Sequence, residues 1–548
     1  MQPTQPIQQF INDSGAATVL EELKQYFADN KPNGLIVSDV LDDEGNQYVD
    51  LVQEGGGVWG VALVGYTYIM EEMGIRFFSL AGTSAGAINT MMLAVAGNAA
   101  DKKYITILDH MLKLPLDQLV DGQNEIKDGK VVVTKYTRFI RWLVKNLIIK
   151  SNFIKKLIKL LRWLMVLFIT LSVGSFIGNF LIDYSTSKWL GLTPLLLLVL
   201  IFLLLAYSMS KFKDFLDKGI GLNEGKFFHN WLNNVIAGHT VDNDANGQPI
   251  INLEHFHRHF SRPVNLRVRP GREDDATPPA ANKRMICIIT CDITSKNKIM
   301  FPRMWDLYWK DKASVHPGDM VRASMSIPGF FKMFHVKVHE PKSEAKKDAW
   351  KRHLGWDGNA IPDAVNFVDG GAISNFPLNV FFNPNYPVPR MPTFGARLDS
   401  DDGTDTIAEA DTIAEYAGAM LSSIRGYYDK DFILRNPSFQ QGICCVNLKG
   451  HSSVNFFMDE KGDTEKKQLF LKGAMAAAAF LKTFDWEKYK TDRAGDISKI
   501  DYTVDPNNLE DPLTRNANLQ HELTTIKNTS VRQTVQHKMP ELQSAKTE

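Results

Sequence analysis

Three glycine-bearing segments of the 548-residue chain hold residue types that could do chemistry together. In Gly82-Thr83-Ser84-Ala85-Gly86 a serine has G-x-S-x-G spacing between two apolar runs. Phe77 to Leu80 reads as a strand and Ala87 to Val95 as a helix. On so sharp a turn the neighbours must lack bulk, which leaves the serine Oγ exposed beside a helix N-terminus. The helix dipole there favours the negative charge of an acyl-transfer transition state. The second segment, Glu54-Gly55-Gly56-Gly57-Val58-Trp59-Gly60, follows an apolar strand (Tyr48 to Gln53) and precedes an apolar helix (Val61 to Met73). It presents successive backbone N–H groups at a second helix start. Gly55, Gly57 and Gly60 also satisfy G-x-G-x-x-G. A dinucleotide site needs an acidic residue about 20 positions further on, and Gly74 to Leu80 holds none. An oxyanion hole is the better reading. The third segment, Val368-Asp369-Gly370-Gly371, delivers a carboxylate from the end of a strand (Ala364 to Val368) onto a glycine turn.

The elements that must position these residues alternate between strand and helix, the pattern that builds a parallel sheet. Met285 to Ile289 adds a strand and Lys472 to Lys482 an alanine-rich packing helix. In order and type the segments resemble the patatin-like phospholipases, in which a glycine loop, a G-x-S-x-G elbow and an Asp-Gly-Gly or Asp-Gly-Ala turn follow one another. The resemblance runs from about Tyr48 to Lys482 and takes in Arg322 to Phe331. It implies a three-layer α/β/α hydrolase with a central, mostly parallel sheet, and a membrane phospholipid or lysophospholipid as substrate. It further implies Ser84 as nucleophile, Asp369 as the base that takes its proton, and the backbone of Gly55, Gly56 and Gly57 as oxyanion hole. Gly60, Gly82, Gly86, Gly370 and Gly371 are then motif glycines, and neither metal nor cofactor is called for. One residue departs from the family loop, which usually carries Arg or Lys where this chain has Trp59. Two other readings stay open: a triad of Ser84, Asp369 and His451 as in α/β-hydrolase esterases, and a catalytically silent membrane scaffold.

Between the elbow and the aspartate the chain changes character. Residues 164–182 and 190–207 carry no charge, and each run is near the roughly 20 residues a helix needs to cross a bilayer. They read as a transmembrane hairpin interrupting the α/β domain. Lys and Arg crowd the outer flanks, with no Asp or Glu from Gly129 to Ile182. The positive-inside rule therefore places both outer ends, and the catalytic domain, in the cytoplasm. Gly174 and Gly178 form a G-x-x-x-G that would admit a second helix or another subunit, hence a homo-oligomer. Tyr136 to Arg162 alternates cations with aromatic and aliphatic residues and reads as an amphipathic helix on an anionic membrane surface.

The expected organisation is an N-terminal helical segment (1–45), a catalytic domain in two parts (46–129 and 219–490), the insertion (130–218) and a polar tail (491–548). The N-terminus lacks a basic, apolar leader, so no cleaved secretory signal is expected. Lys+Arg and Asp+Glu both number 62, which removes any global attraction to nucleic acid. Cys287, Cys291, Cys444 and Cys445 are too few and wrongly spaced for a disulfide framework or a common zinc site, and are expected as buried thiols.

Overall fold

The computed structural model describes residues 3–499 apart from 32–33, 123–124, 128–129, 242–246, 273–282, 357–359, 384–388, 400–426, 428 and 459–462, and apart from 149–219, of which 159, 162, 163, 166, 169, 170, 199, 203 and 207 are described. Ten strands form one mixed sheet: β1 (Val40–Leu41), β2 (Gln47–Gln53), β3 (Ile75–Thr83), β4 (Arg267–Val268), β5 (Ile286–Asp292), β6 (Asn297–Phe301), β7 (Phe334–Lys337), β8 (Ala364–Asp369), β9 (Thr393–Asp399) and β10 (Ile443–Asn447). Its centre is parallel, in the order β10, β9, β2, β3, β5. The remaining strands are antiparallel additions: β6 and β8 on β5, β7 on β8, β1 on β2, and β4 on β1. Successive residues of the central strands face opposite sides and both sides are apolar. Leu51, Leu80 and Ile288 enter one core, and Val52, Ala81 and Ile289 the other. A sheet covered on both faces requires such continuous apolar runs.

The helices that bear on the site are α1 (Gln5–Ser14), α2 (Ala16–Asn30), α3 (Gly60–Glu72), α4 (Ala85–Val95), α5 (Tyr104–Lys113), α6 (Lys135–Ile148), α7 (Lys226–Ala237), α8 (Pro317–Ser324), α9 (Thr464–Thr483) and α10 (Trp486–Lys499). One face of the sheet carries α1 to α5 together with α9. The alanine-rich α9 lies on α3 at near backbone contact. A Cβ on Gly65 would stand 2.0 Å from the Phe470 carbonyl oxygen, and one on Gly473 1.9 Å from that of Ala62. Phe376, Leu378 and Phe439 cover the other face.

The register on β5 brings two strand ends together. Thr83, the last residue of β3, lies opposite Ile289, and Asp369, the last residue of β8, lies opposite Thr290. β3 runs parallel to β5 and β8 antiparallel, so the two strands arrive head-on and end at consecutive positions of β5.

The insertion leaves and re-enters the fold at one place. The Asp121 carboxylate accepts the N–H groups of Gly225 (3.1 Å) and Phe227 (3.2 Å), the Gly122 N–H donates to Asn223 Oδ1 (2.9 Å), and the Glu224 N–H donates to the Gly122 carbonyl (3.2 Å). The two apolar runs expected as a hairpin lie outside the described residues except at isolated positions. No helix among the described residues is long and apolar enough to cross a membrane, so the hairpin finds no support there.

Three expectations need correction. The tail does not begin at residue 491: α10 continues to Lys499, pinned by Trp486 Nε1 (2.7 Å) and Lys490 Nζ (2.8 Å) on Asp39. Arg493, buried at 3% exposure, lies over Phe382 and Phe439. Cys445 is exposed, because β10 turns alternate side chains outward, whereas the other three thiols are buried. The sheet is also less parallel than expected, since half of its strands are antiparallel flanks.

Candidate active site

Ser84 stands between β3 and α4 with φ 52° and ψ −117°. A non-glycine residue in this region costs about 1–3 kcal/mol, sustained only when its surroundings over-determine it. The flanking glycines permit the turn by sheer proximity. A Cβ on Gly82 would sit 2.4 Å from the Gly86 backbone, and one on Gly86 2.3 Å from the Gln53 carbonyl oxygen. The Ser84 N–H donates to Ser324 Oγ (2.9 Å), whose own hydroxyl donates to the Ile289 carbonyl (2.6 Å). The elbow is thereby clamped to β5. Ser84 is only 5% exposed, contrary to the open elbow expected from the motif, and lines an apolar cavity.

Asp369 ends β8 at 6% exposure; its Oδ1 accepts the Gly371 N–H (2.7 Å) and its own N–H donates to the Ser326 carbonyl (2.9 Å). Gly370 is required where the two strand ends meet: a Cβ there would lie 2.2 Å from the Ile289 carbonyl oxygen and 3.0 Å from Thr83 Cγ2. Arg322, on α8, holds Ser326 in turn. Its guanidinium donates to Ser326 Oγ (2.6 Å) and to the carbonyls of Glu224 and Lys332 (both 2.9 Å). Burial lowers its pKa to about 10.

The glycine loop crosses directly in front of the elbow, where a Cβ on Gly55 would lie 3.0 Å from Ser84 Cβ. Of the three expected donors, the Gly55 N–H is already committed to the Asn375 carbonyl (3.1 Å). The N–H groups of Gly56 and Gly57 have no partner among the described residues. Gly57 needs its φ of +57°, and a Cβ on it would stand 2.2 Å from the Ser453 carbonyl oxygen, which accepts the Val58 N–H (2.9 Å). Glu54 ties the loop down by accepting Asn375 Nδ2 (3.1 Å) and the Leu398 N–H (2.7 Å).

From Ser84 an apolar cavity runs between α4, α5 and α7, lined among others by Ile88, Met92, Met111, Leu119 and Phe331. It follows α4 from Ser84 to Met92, a helical rise of about 12 Å. His451, the third member of the alternative triad, faces Glu465 at 3.6 Å.

A family model described as patatin-like phospholipase matches residues 51–382. The chain belongs to the patatin-like phospholipase family. Members of this family are serine hydrolases acting on lipid esters. The chain is also 53% identical over 47 residues to the uncharacterized protein YqhO of Bacillus subtilis (strain 168), a match covering 9% of this chain and 16% of that protein. Among solved structures it is similar to VipD from Legionella pneumophila at 12% identity and a TM-score of 0.30, covering 83% of this chain and 72% of that one.

Within this patatin-like site the sequence reading missed Ser324, Ser326, Asn375 and Glu54 as positioning groups. Ser324 and Ser326 alternate at the end of α8, a spacing that sends one hydroxyl to the elbow and puts the other residue's carbonyl against Asp369. Trp59, where the family usually has a cation, packs its ring against Gly56, and its indole N–H is buried without a partner among the described residues.

Proposed function

We propose that the protein is a lipid acyl hydrolase of the phospholipase A or lysophospholipase type, with Ser84 as nucleophile and Asp369 as its base. One observation carries the reading: two strands end head-on at neighbouring positions of β5, one delivering the serine and the other the carboxylate, and the serine lines an apolar cavity. In this scheme the acyl chain lies in the cavity with its ester carbonyl over Ser84. Asp369 takes the hydroxyl proton as Oγ attacks the carbonyl carbon, and the N–H groups of Gly56 and Gly57 receive the developing oxyanion. Collapse returns the proton to the leaving alcohol and leaves an acyl-serine. A water deprotonated by Asp369 then cleaves the acyl-serine, releasing the fatty acid and restoring Ser84. Exclusion of water by the cavity walls strengthens both the donor and the carboxylate interactions.

The runs 164–182 and 190–207 act in this proposal as a membrane anchor that keeps the site beside its substrate, with the catalytic domain on the cytoplasmic side. In support, the two runs hold no charged residue over 19 and 18 positions, near the roughly 20 that a helix needs to cross a bilayer. The deciding experiment compares lipid extracts of membranes carrying the native chain, Ser84→Ala or Asp369→Ala. Both variants are expected to abolish release of fatty acid, and the double variant to be no worse than either. Substantial turnover by Asp369→Ala would remove the carboxylate from the mechanism.

A further inference from the structure

The helix α6 carries two faces that differ in kind. Its inner face is fastened to the protein: Ile140 is 2% exposed, Thr137 Oγ1 donates to the Asp121 carbonyl (3.2 Å), and Arg141 donates to the Val120 carbonyl (3.1 Å) and pairs with Asp117 (3.3 Å). Its outer face presents Tyr136, Phe139 and Trp142 at 38, 54 and 51% exposure, with Phe139 and Trp142 stacked at 6.0 Å. Lys135 and Arg138 are exposed between them. The fastening points belong to the cavity wall. Asp117 lies in the short helix Leu116–Leu119, whose first and last residues line the cavity, and Lys145 lies over Phe457, next to the cavity residue Phe456. The other end of the insertion also returns into that wall, at Phe228 and Trp231 of α7.

We propose that the outer face of α6 is a docking surface for an anionic lipid interface, which seats the cavity wall directly on the membrane that supplies the acyl chain. The proposal rests on the lipid-hydrolase reading only for what enters the cavity. Charge chooses the occupant: the face pairs aromatic rings with cations, and no acidic residue occurs from Gly129 to Ile182 to offset them. Rings that are apolar in body and polar at the edge, flanked by cations, match the headgroup layer of an anionic bilayer. Position fits as well, because the chain leaves α6 toward the uncharged run 164–182.

The test uses the full chain carrying Ser84→Ala, so that no lipid is consumed and the outcome is independent of catalysis. Cys445→Ser removes the exposed thiol, and Phe139→Cys carries an environment-sensitive fluorophore. The protein is reconstituted in phosphatidylcholine vesicles with or without phosphatidylglycerol. With phosphatidylglycerol the probe is expected to shift to the blue and become shielded from iodide. Without it, or in high salt, the probe should stay accessible. Lys135→Gln and Arg138→Gln should each weaken the shielding about five-fold at low salt. A probe equally accessible in both vesicles would overturn the proposal. Shielding that follows the protein-to-lipid ratio and not the phosphatidylglycerol would assign the face to a second copy and overturn it too.

Discussion

Ser324→Ala offers the sharpest test of how the elbow is held. The substitution removes one hydroxyl that accepts the Ser84 N–H at 2.9 Å and donates to the Ile289 carbonyl at 2.6 Å, in a position with no solvent exposure. Two buried backbone groups lose this partner, at about 1–3 kcal/mol each, so a stability loss of about 2–6 kcal/mol is expected. The elbow, no longer clamped, can relax part of the about 1–3 kcal/mol stored in its backbone, which swings Oγ away from the meeting point of β3 and β8. A misplacement of this kind lowers kcat about 10- to 100-fold, equivalent to about 1.4–2.7 kcal/mol of barrier. KM should stay within about two-fold, because the cavity that binds the chain is untouched. The assay is turnover of a dispersed short-chain ester well below the melting transition, paired with the rate of fluorophosphonate labelling at Ser84. A variant that melts earlier but keeps native kcat and labelling rate would refute the clamp, reducing Ser324 to a packing residue.

Gly86→Ala should yield little folded protein and no activity, since its Cβ would fall 2.3 Å from the Gln53 carbonyl oxygen; soluble expression and near-UV circular dichroism would show it. His451→Ala should retain most ester hydrolysis, as the ring faces Glu465, and a loss beyond about 100-fold, the scale of a lost general base, would revive the triad. Asp50, partly buried on β2, has its carboxyl pKa pushed up to about 6 by burial, although it accepts the Ser79 N–H. A raised carboxyl pKa means that the folded state binds the proton more tightly than the unfolded one, so this contribution favours folding at low pH and is lost as pH rises from about 4 through 6. Asp50→Asn should therefore flatten the decline of Tm over that window and stabilise the protein at pH 7 by at most about 3 kcal/mol. A variant less stable than the native chain at pH 7 would contradict the assignment.

The residues with chemistry were the most legible part of the chain, because each announces itself through glycine. Gly82, Gly86 and Gly370 occupy places where a methyl group would strike backbone, and such constraints print directly into sequence. The strands β2, β3, β5 and β8 were equally readable from their apolar runs, although β3 extends beyond Phe77–Leu80 on both sides, to Ile75 and Thr83, taking in Arg76, whose guanidinium donates to the carbonyls of Glu71 and Ile75. β9 and β10 escaped because Arg397, Cys445 and Asn447 break the apolar pattern of their strands. That the Gly55 N–H is spent on Asn375, a contact across 320 residues or so of chain, depends on tertiary placement, and no local pattern encodes it. The same holds for α6, whose amphipathic character was visible but whose seat on the cavity wall was not.

The convergence of β3 and β8 on β5 bears on how the protein is made. Thr83 is tied to the carbonyl of Ser374, 291 residues downstream, so Ser84 leaves the ribosome long before the strand that ends in Asp369. At about 5–20 residues per second that interval is about 15–60 s. During it the nascent chain holds Ser84 without Asp369 and a glycine loop without the Asn375 carbonyl that fixes it. The site that the three glycine-bearing segments build is therefore incomplete until most of the catalytic domain has left the ribosome.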